Sequence, residues 1–142
     1  MADDLLKPQP PPVANDKPAV WDLVVQDLDL DEARLPPISA DRPWAEQRVV
    51  ALVRADAKAR DAQGRERYGV PLQAGNGRDA LVDAYQEQLD FVVYLRQAIE
   101  ERLLVTPPDD EVFVLEHLNL LYGNVRGTVR HLRWLLLAHD GR

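Results

Sequence analysis

Leu81, Tyr85, Leu89, Val92, Leu95 and Ile99 recur at intervals of three or four residues. That spacing lines one wide face of an α-helix, and a strand with its period of two cannot use it. Asp83, Glu87, Asp90 and Tyr94 recur at the same intervals on the other side. One helix therefore divides an apolar face from a row of three acids and a phenol. Phe91 and Val93 flank the row, which admits a crevice there as well as a solvated face. Asn76, three residues before Asp79, has the form of an N-terminal cap. The stretch ahead of it, Tyr68 to Gly77, holds Gly69, Pro71, Gly75 and Gly77, the chemistry of a turn-rich loop.

Two further stretches carry the helical period. Asp41 is read as the cap of a helix with Pro43 in its first turn, running to about Gln63 and loosened or ended by Gly64. Ala45, Val49, Leu52, Val53 and Ala59 mark its apolar stripe, and Asp56 falls on the continuation of that stripe. An inward carboxylate needs a partner such as Arg60, or a metal, because burying it alone costs several kcal/mol. Thr106-Pro107-Pro108-Asp109 is a stop and restart, and a third helix is expected from about Pro107 to Ala138. Val112, Leu115, Leu118, Tyr122, Val125, Val129, Leu132 and Leu136 form its apolar face. Gly123 and Gly127, one turn apart, point to a close crossing or a kink. Trp134 to Leu137 make its end apolar enough to dock on another helix or a second subunit. His117 and His131 lack neighbouring-turn metal spacing and read as structural or surface residues.

The N-terminal part reads differently. Residues 1–19 hold Pro8, Pro10, Pro11, Pro12 and Pro18, a composition that favours an extended or disordered tail. The apolar patch of Trp21, Leu23, Val24, Val25, Leu28 and Leu30 admits a strand, one helical turn or an extended strap, ended by Pro36 and Pro37. A strap is preferred, since an isolated strand has no partner. Residues 1–40 are thus expected to be a proline-rich acidic arm, and 41–142 an all-α domain of three main helices per chain. Their broad apolar faces suggest a bundle completed by dimerisation.

With 142 residues, 46% of them apolar, the chain can support one core. It has no cysteine, which removes thiolate chemistry and disulfides. A start without a signal-peptide pattern, and the lack of any eighteen-residue apolar run, lead to the expectation of a soluble cytoplasmic protein with no membrane partner. The net charge is -7. Residues 1–43 hold nine acids against four bases, and 44–142 fifteen against thirteen, so the arm carries most of it. Without a basic stripe, nucleic acid is not expected as a primary ligand. There is no Walker, Rossmann or GxSxG motif, and Ser39 is the only serine. Catalysis, if present, rests on carboxylates with a divalent metal, while Arg65, Arg67 and Arg78 offer guanidinium forks to phosphate oxygens.

The block YGVPLQAGNGRDALVDAYQEQLDFVVYLRQAI resembles small phage and prophage proteins described as MazG-like. Its Glu87-x-x-Asp90 looks like the second carboxylate pair of the MazG-type all-α nucleotide pyrophosphohydrolases. The resemblance spans roughly residues 44–103. It implies a nucleoside triphosphate substrate, Mg²⁺, and hydrolysis to a nucleoside monophosphate and pyrophosphate. On that reading Glu87, Asp90 and Asp56 hold the metal, and Asp83 binds a second ion or orients water. One of Arg65, Arg67 and Arg78 steadies pyrophosphate, and Tyr94 touches a carboxylate or the base. The family's first pair, Glu-x-x-Glu, is missing from the first helix, where only Asp56, Asp61 and Glu46 stand. The alternative is a non-catalytic helical interaction protein or nucleotide-binding module of phage or prophage origin.

Overall fold

A computed structural model describes residues 5–35, 44–105 and 109–141. Four long helices make up its regular structure: α1 Val20–Arg34, α2 Trp44–Tyr68, α3 Ala80–Leu103 and α4 Asp109–Asp140. The all-α expectation holds, but the count of three main helices does not. The fourth is α1, which lies in the segment expected to form a strap. After Val20, its half-buried positions are Trp21, Val25, Leu28 and Glu32, spaced four, three and four apart. This is a helical period, hidden in the sequence by the neighbouring Leu23 and Val24. A helix also satisfies its own backbone groups and needs no strand partner. Asp41, Pro43 and the stops Pro36-Pro37 and Thr106-Pro107-Pro108 lie outside the described residues.

The chain divides into two compact units, Pro10–Arg78 and Met1–Gln9 with Asp79–Arg142. In the first, α1 runs antiparallel to α2: Trp21 and Asp22 share a cleft with Asp61, while Asp29 meets Arg54 at 2.8 Å. The inward row of α2 is Val50, Arg54, Ala57, Asp61 and Gly64. Val49, Leu52, Val53 and Ala59, expected to face the core, are exposed, and so is Asp56. The physical reason is the choice of neighbour. α1 lies over the small Ala57, which is buried, and its acids draw Arg54 inward. Nor does α2 stop at Gln63. It passes through Gly64 to Tyr68 and ends where Gly69 takes a left-handed φ of 73° and donates its N–H to the Arg65 carbonyl at 2.8 Å.

In the second unit α3 and α4 also run antiparallel, since Val82 packs with Leu136 and Arg96 lies over the Tyr122 ring. Here the predicted faces are the inward ones. Leu95, Ile99, Val125 and Leu136 are buried, and Leu81 and Tyr85 pack on the cluster of Leu5, Val82 and Leu136. Val112 is the exception and is exposed. The cap of α3 is Asp79, whose carboxylate accepts from the N–H groups of Leu81 and Val82. Asn76 belongs instead to the loop, where its side chain accepts from the N–H of Arg78.

Residues 5–19 are pinned at both ends, and in neither unit do they behave as a loose tail. In the first unit Gln73 is the anchor. Its side chain accepts from Asn15 N–H and donates to the carbonyls of Asn15 and Lys17, and Ala19 bridges to its backbone. Asn15 donates to the Ala74 carbonyl, and Val13 N–H to that of Asn76. Gly75 (φ 69°) lies against Lys17, where an added Cβ would come within 3.3 Å of its side chain. In the second unit Gln86 donates to the carbonyls of Leu5 and Lys7, and Leu5 is 2% exposed.

Candidate functional site

α3 carries Asp83, Glu87, Asp90 and Tyr94 on the side turned away from α4, as their spacing requires. Asp83 is half-buried at the start of the row and accepts from Gln9 Nε2 at 2.7 Å. Glu87 and Asp90 are exposed, and Tyr94 is 64% exposed. Phe91 and Val93 are exposed as well, so the row stands on an open helix face in this chain. The crevice that two flanking apolar residues suggested is not formed by α3 and α4. Carboxylates so placed keep their hydration.

The other candidates belong to the Pro10–Arg78 unit. Asp56 is exposed on α2, because the inward row passes through Arg54 and Ala57 on either side of it. Arg65 points Nε at both carboxylate oxygens of Asp61, at 3.0 and 3.1 Å. Arg67 lies over the Tyr68 ring, 5.2 Å from its centroid. Arg78 donates through Nη1 to the Pro10 carbonyl at 2.8 Å. Each arginine read as a phosphate ligand thus has an engagement within its own unit. A phosphate would compete with Asp61 for Arg65 and with a backbone carbonyl for Arg78.

The fit to Mg²⁺ follows from the donors. Among the described residues no three His, Cys, Asp or Glu side chains gather as a set able to hold a metal ion. Glu87 and Asp90 supply two carboxylates on one exposed face, and Asp56 belongs to the other unit. By themselves Glu87 and Asp90 are a partial donor set for Mg²⁺, which takes further oxygens from water or substrate.

The sequence reading did not single out a cleft of about 330 Å³ between α1 and α2, lined by Trp21, Val25, Gln26, Ala57, Lys58 and Asp61 among others. The four-three-four spacing from Trp21 to Glu32 was the signal that places α1 there. Nor did it give a role to Gln9 and Gln73, whose amides tie the N-terminal segment down; isolated glutamines carry no periodic signal. No helix of the described residues is long and apolar enough to cross a membrane. No family model, curated protein or solved structure matches the chain.

Proposed function

We propose that the chain is a non-catalytic helical interaction protein that acts as a homodimer. The observation that carries this reading is α4, along which Leu120, Leu121, Trp134, Leu135 and Leu137 are all exposed, Trp134 by 63%. Large apolar side chains turned to water in such number are characteristic of surfaces that another protein covers. The open placement of Glu87 and Asp90 supports the non-catalytic part, since exposed acids lack the water-excluding pocket that strengthens charge-based catalysis.

A second reading is metal-dependent nucleoside triphosphate pyrophosphohydrolysis. It is favoured by Glu87 and Asp90 lying one turn apart on one side of α3, a carboxylate pair of the sort that shares Mg²⁺ with substrate phosphates. One experiment separates the two: calorimetric titration with Mg²⁺ and nucleotides, together with pyrophosphate release from a panel of canonical and modified triphosphates. The interaction reading expects neither binding nor release. Turnover by the wild type that disappears in Glu87→Gln and Asp90→Asn overturns it. Binding without turnover makes the chain a nucleotide-binding module.

A further inference from the structure

We propose that a second copy seats on one flank of the α3–α4 pair, formed by Ala84, Phe91 and Ala98 of α3 and Leu121, Thr128 and Leu135 of α4. The two pairs close an antiparallel four-helix bundle, with α3 of each chain lying on α4 of the other. This deepens the homodimer reading above and rests on it.

The flank follows from register. Its six residues each stand one position before a member of the inward rows, namely Tyr85, Val92 and Ile99 on α3 and Tyr122, Val129 and Leu136 on α4. On two antiparallel helices, positions that precede the inward row by one residue come to the same side of the pair. By the same register Ala80, Gln88 and Tyr94 of α3 and Val114, His117, Asn124 and His131 of α4 border the flank, and none of them is Asp, Glu, Lys or Arg. Phe91 is 41%, Leu121 45% and Leu135 43% exposed, so the flank is open in the single chain. The opposite flank is occupied. There Gln86 holds the carbonyls of Leu5 and Lys7, and Arg96 and Arg126 both lie over the Tyr122 ring.

Side-chain size along the flank matches a second copy. Val82 packs level with Leu136, and Arg96 lies level with Tyr122. Counting from those contacts, and within one residue, Ala84 is level with Leu135, Phe91 with Thr128 and Ala98 with Leu121. Every level sets a large side chain against a small one. Thr128 gives its hydroxyl to the Asn124 carbonyl of its own helix, which leaves its methyl group for contact. A twofold axis along the bundle keeps each level and lays α3 beside α4 of the second copy, so the same three matches recur across the interface.

Charge selects the arrangement. Farther round the helices Glu87 is level with His131, Tyr94 with Asn124 and Glu101 with His117. Within one chain these residues stand on the outer edges of the pair and face apart. Across the twofold contact they meet, two acids opposite two imidazoles on each side. α3 holds five acids and two bases, whereas α4 from His117 to His139 holds three arginines and no acid. Laying α3 on α3 of the second copy would oppose two rows of acids, and laying it on α4 avoids that.

The test uses the full chain and sedimentation equilibrium at micromolar concentration, with circular dichroism as a check on folding. The wild type should sediment as a dimer. Phe91→Asp and Leu121→Asp should each weaken it by about tenfold or more, with helical content kept. Because the chain has no cysteine, a second measurement reads the pairing directly. Coexpressed Phe91→Cys and Thr128→Cys chains should form a disulfide-linked dimer on oxidation, and neither variant by itself should. Linkage of Phe91→Cys chains to one another sets α3 on α3 and overturns the arrangement. A monomeric wild type overturns the proposal together with the homodimer reading. A dimer indifferent to both Phe91→Asp and Leu121→Asp overturns the seat, and so does a dimer lost only in Trp134→Ala, which places the copy elsewhere on α4 and leaves the homodimer reading standing. Pyrophosphate release by the wild type overturns the non-catalytic reading without touching the seat.

Discussion

The side-chain amide of Gln9 brackets the backbone of Asp79: its Oε1 accepts from the Asp79 N–H at 2.6 Å, and its Nε2 donates to the Asp79 carbonyl at 2.8 Å. The same Nε2 also reaches Asp83 Oδ1. One glutamine from the N-terminal segment thereby holds the residue that caps α3. Gln9→Ala should lower stability by about 1–3 kcal/mol, the cost of leaving part-buried polar groups unpaired, measured as a drop in the urea midpoint. Gln9→Glu keeps the acceptor, loses the donor and sets a carboxylate beside Asp83, so it should be no better than alanine.

Leu5 lies in the cluster with Val82 and Leu136, whereas its neighbour Leu6 is 63% exposed. Leu5→Ala should destabilise by about 2–5 kcal/mol, with Leu6→Ala within about 0.5 kcal/mol of wild type, by the same denaturation measurement. Equal effects would mean that Leu5 does not occupy the core.

Gln73 and Gly75 hold residues 13–19 against the loop. Gln73→Ala removes three hydrogen bonds, and Gly75→Ala forces a left-handed backbone on a residue with a Cβ at about 1–2 kcal/mol. Both should speed amide hydrogen exchange at Val13 and Val20, whose N–H groups donate to Asn76 and Leu72. The amides of Leu95 and Ile99, in the other unit, should change less.

Arg54 and Asp29 side chains are respectively 38% and 52% exposed, so their 2.8 Å ion pair is partly hydrated although Arg54 Nε itself is buried. A double-mutant cycle on Arg54→Ala and Asp29→Ala should give a coupling of about 0.2–1 kcal/mol that falls as salt is added.

The acids of α3 should separate by role. Asp79→Ala removes a cap that two N–H groups use and should cost about 1 kcal/mol. Glu87→Gln, Asp90→Asn and, on α2, Asp56→Asn change exposed side chains and should each stay within about 0.5 kcal/mol in thermal or urea unfolding.

α3 and α4 are legible in the sequence, because each is long and keeps one apolar face over many turns. Leu95, Ile99, Val125 and Leu136 are buried where their spacing put them. The acid row was legible as a row for the same reason, and Glu87 and Asp90 do share a side of α3. Whether that side is open or enclosed is not encoded in spacing. It depends on what packs there, and in this chain Phe91, Val93 and Tyr94 beside it are exposed.

α2 shows where periodicity gives out. Val49, Leu52 and Val53 are three of its four large aliphatic residues, yet the row turned inward is Val50, Arg54, Ala57 and Asp61. A helix rich in alanine and charge has no dominant face, so its neighbour chooses, and α1 was itself read as a strap. The N-terminal segment marks the same boundary from the other direction. Proline content sets an extended backbone for residues 8–18, but extension alone does not say whether a segment is loose. Single amides at Gln9, Gln73 and Gln86, from two units of the chain, decide that, and their partners are backbone groups 56 to 81 residues away in sequence. Helical period is a local property that neighbouring residues encode together; the facing of a weakly amphipathic helix and the anchoring of an extended strand of chain are contacts between distant residues, which exist only once the chain has folded.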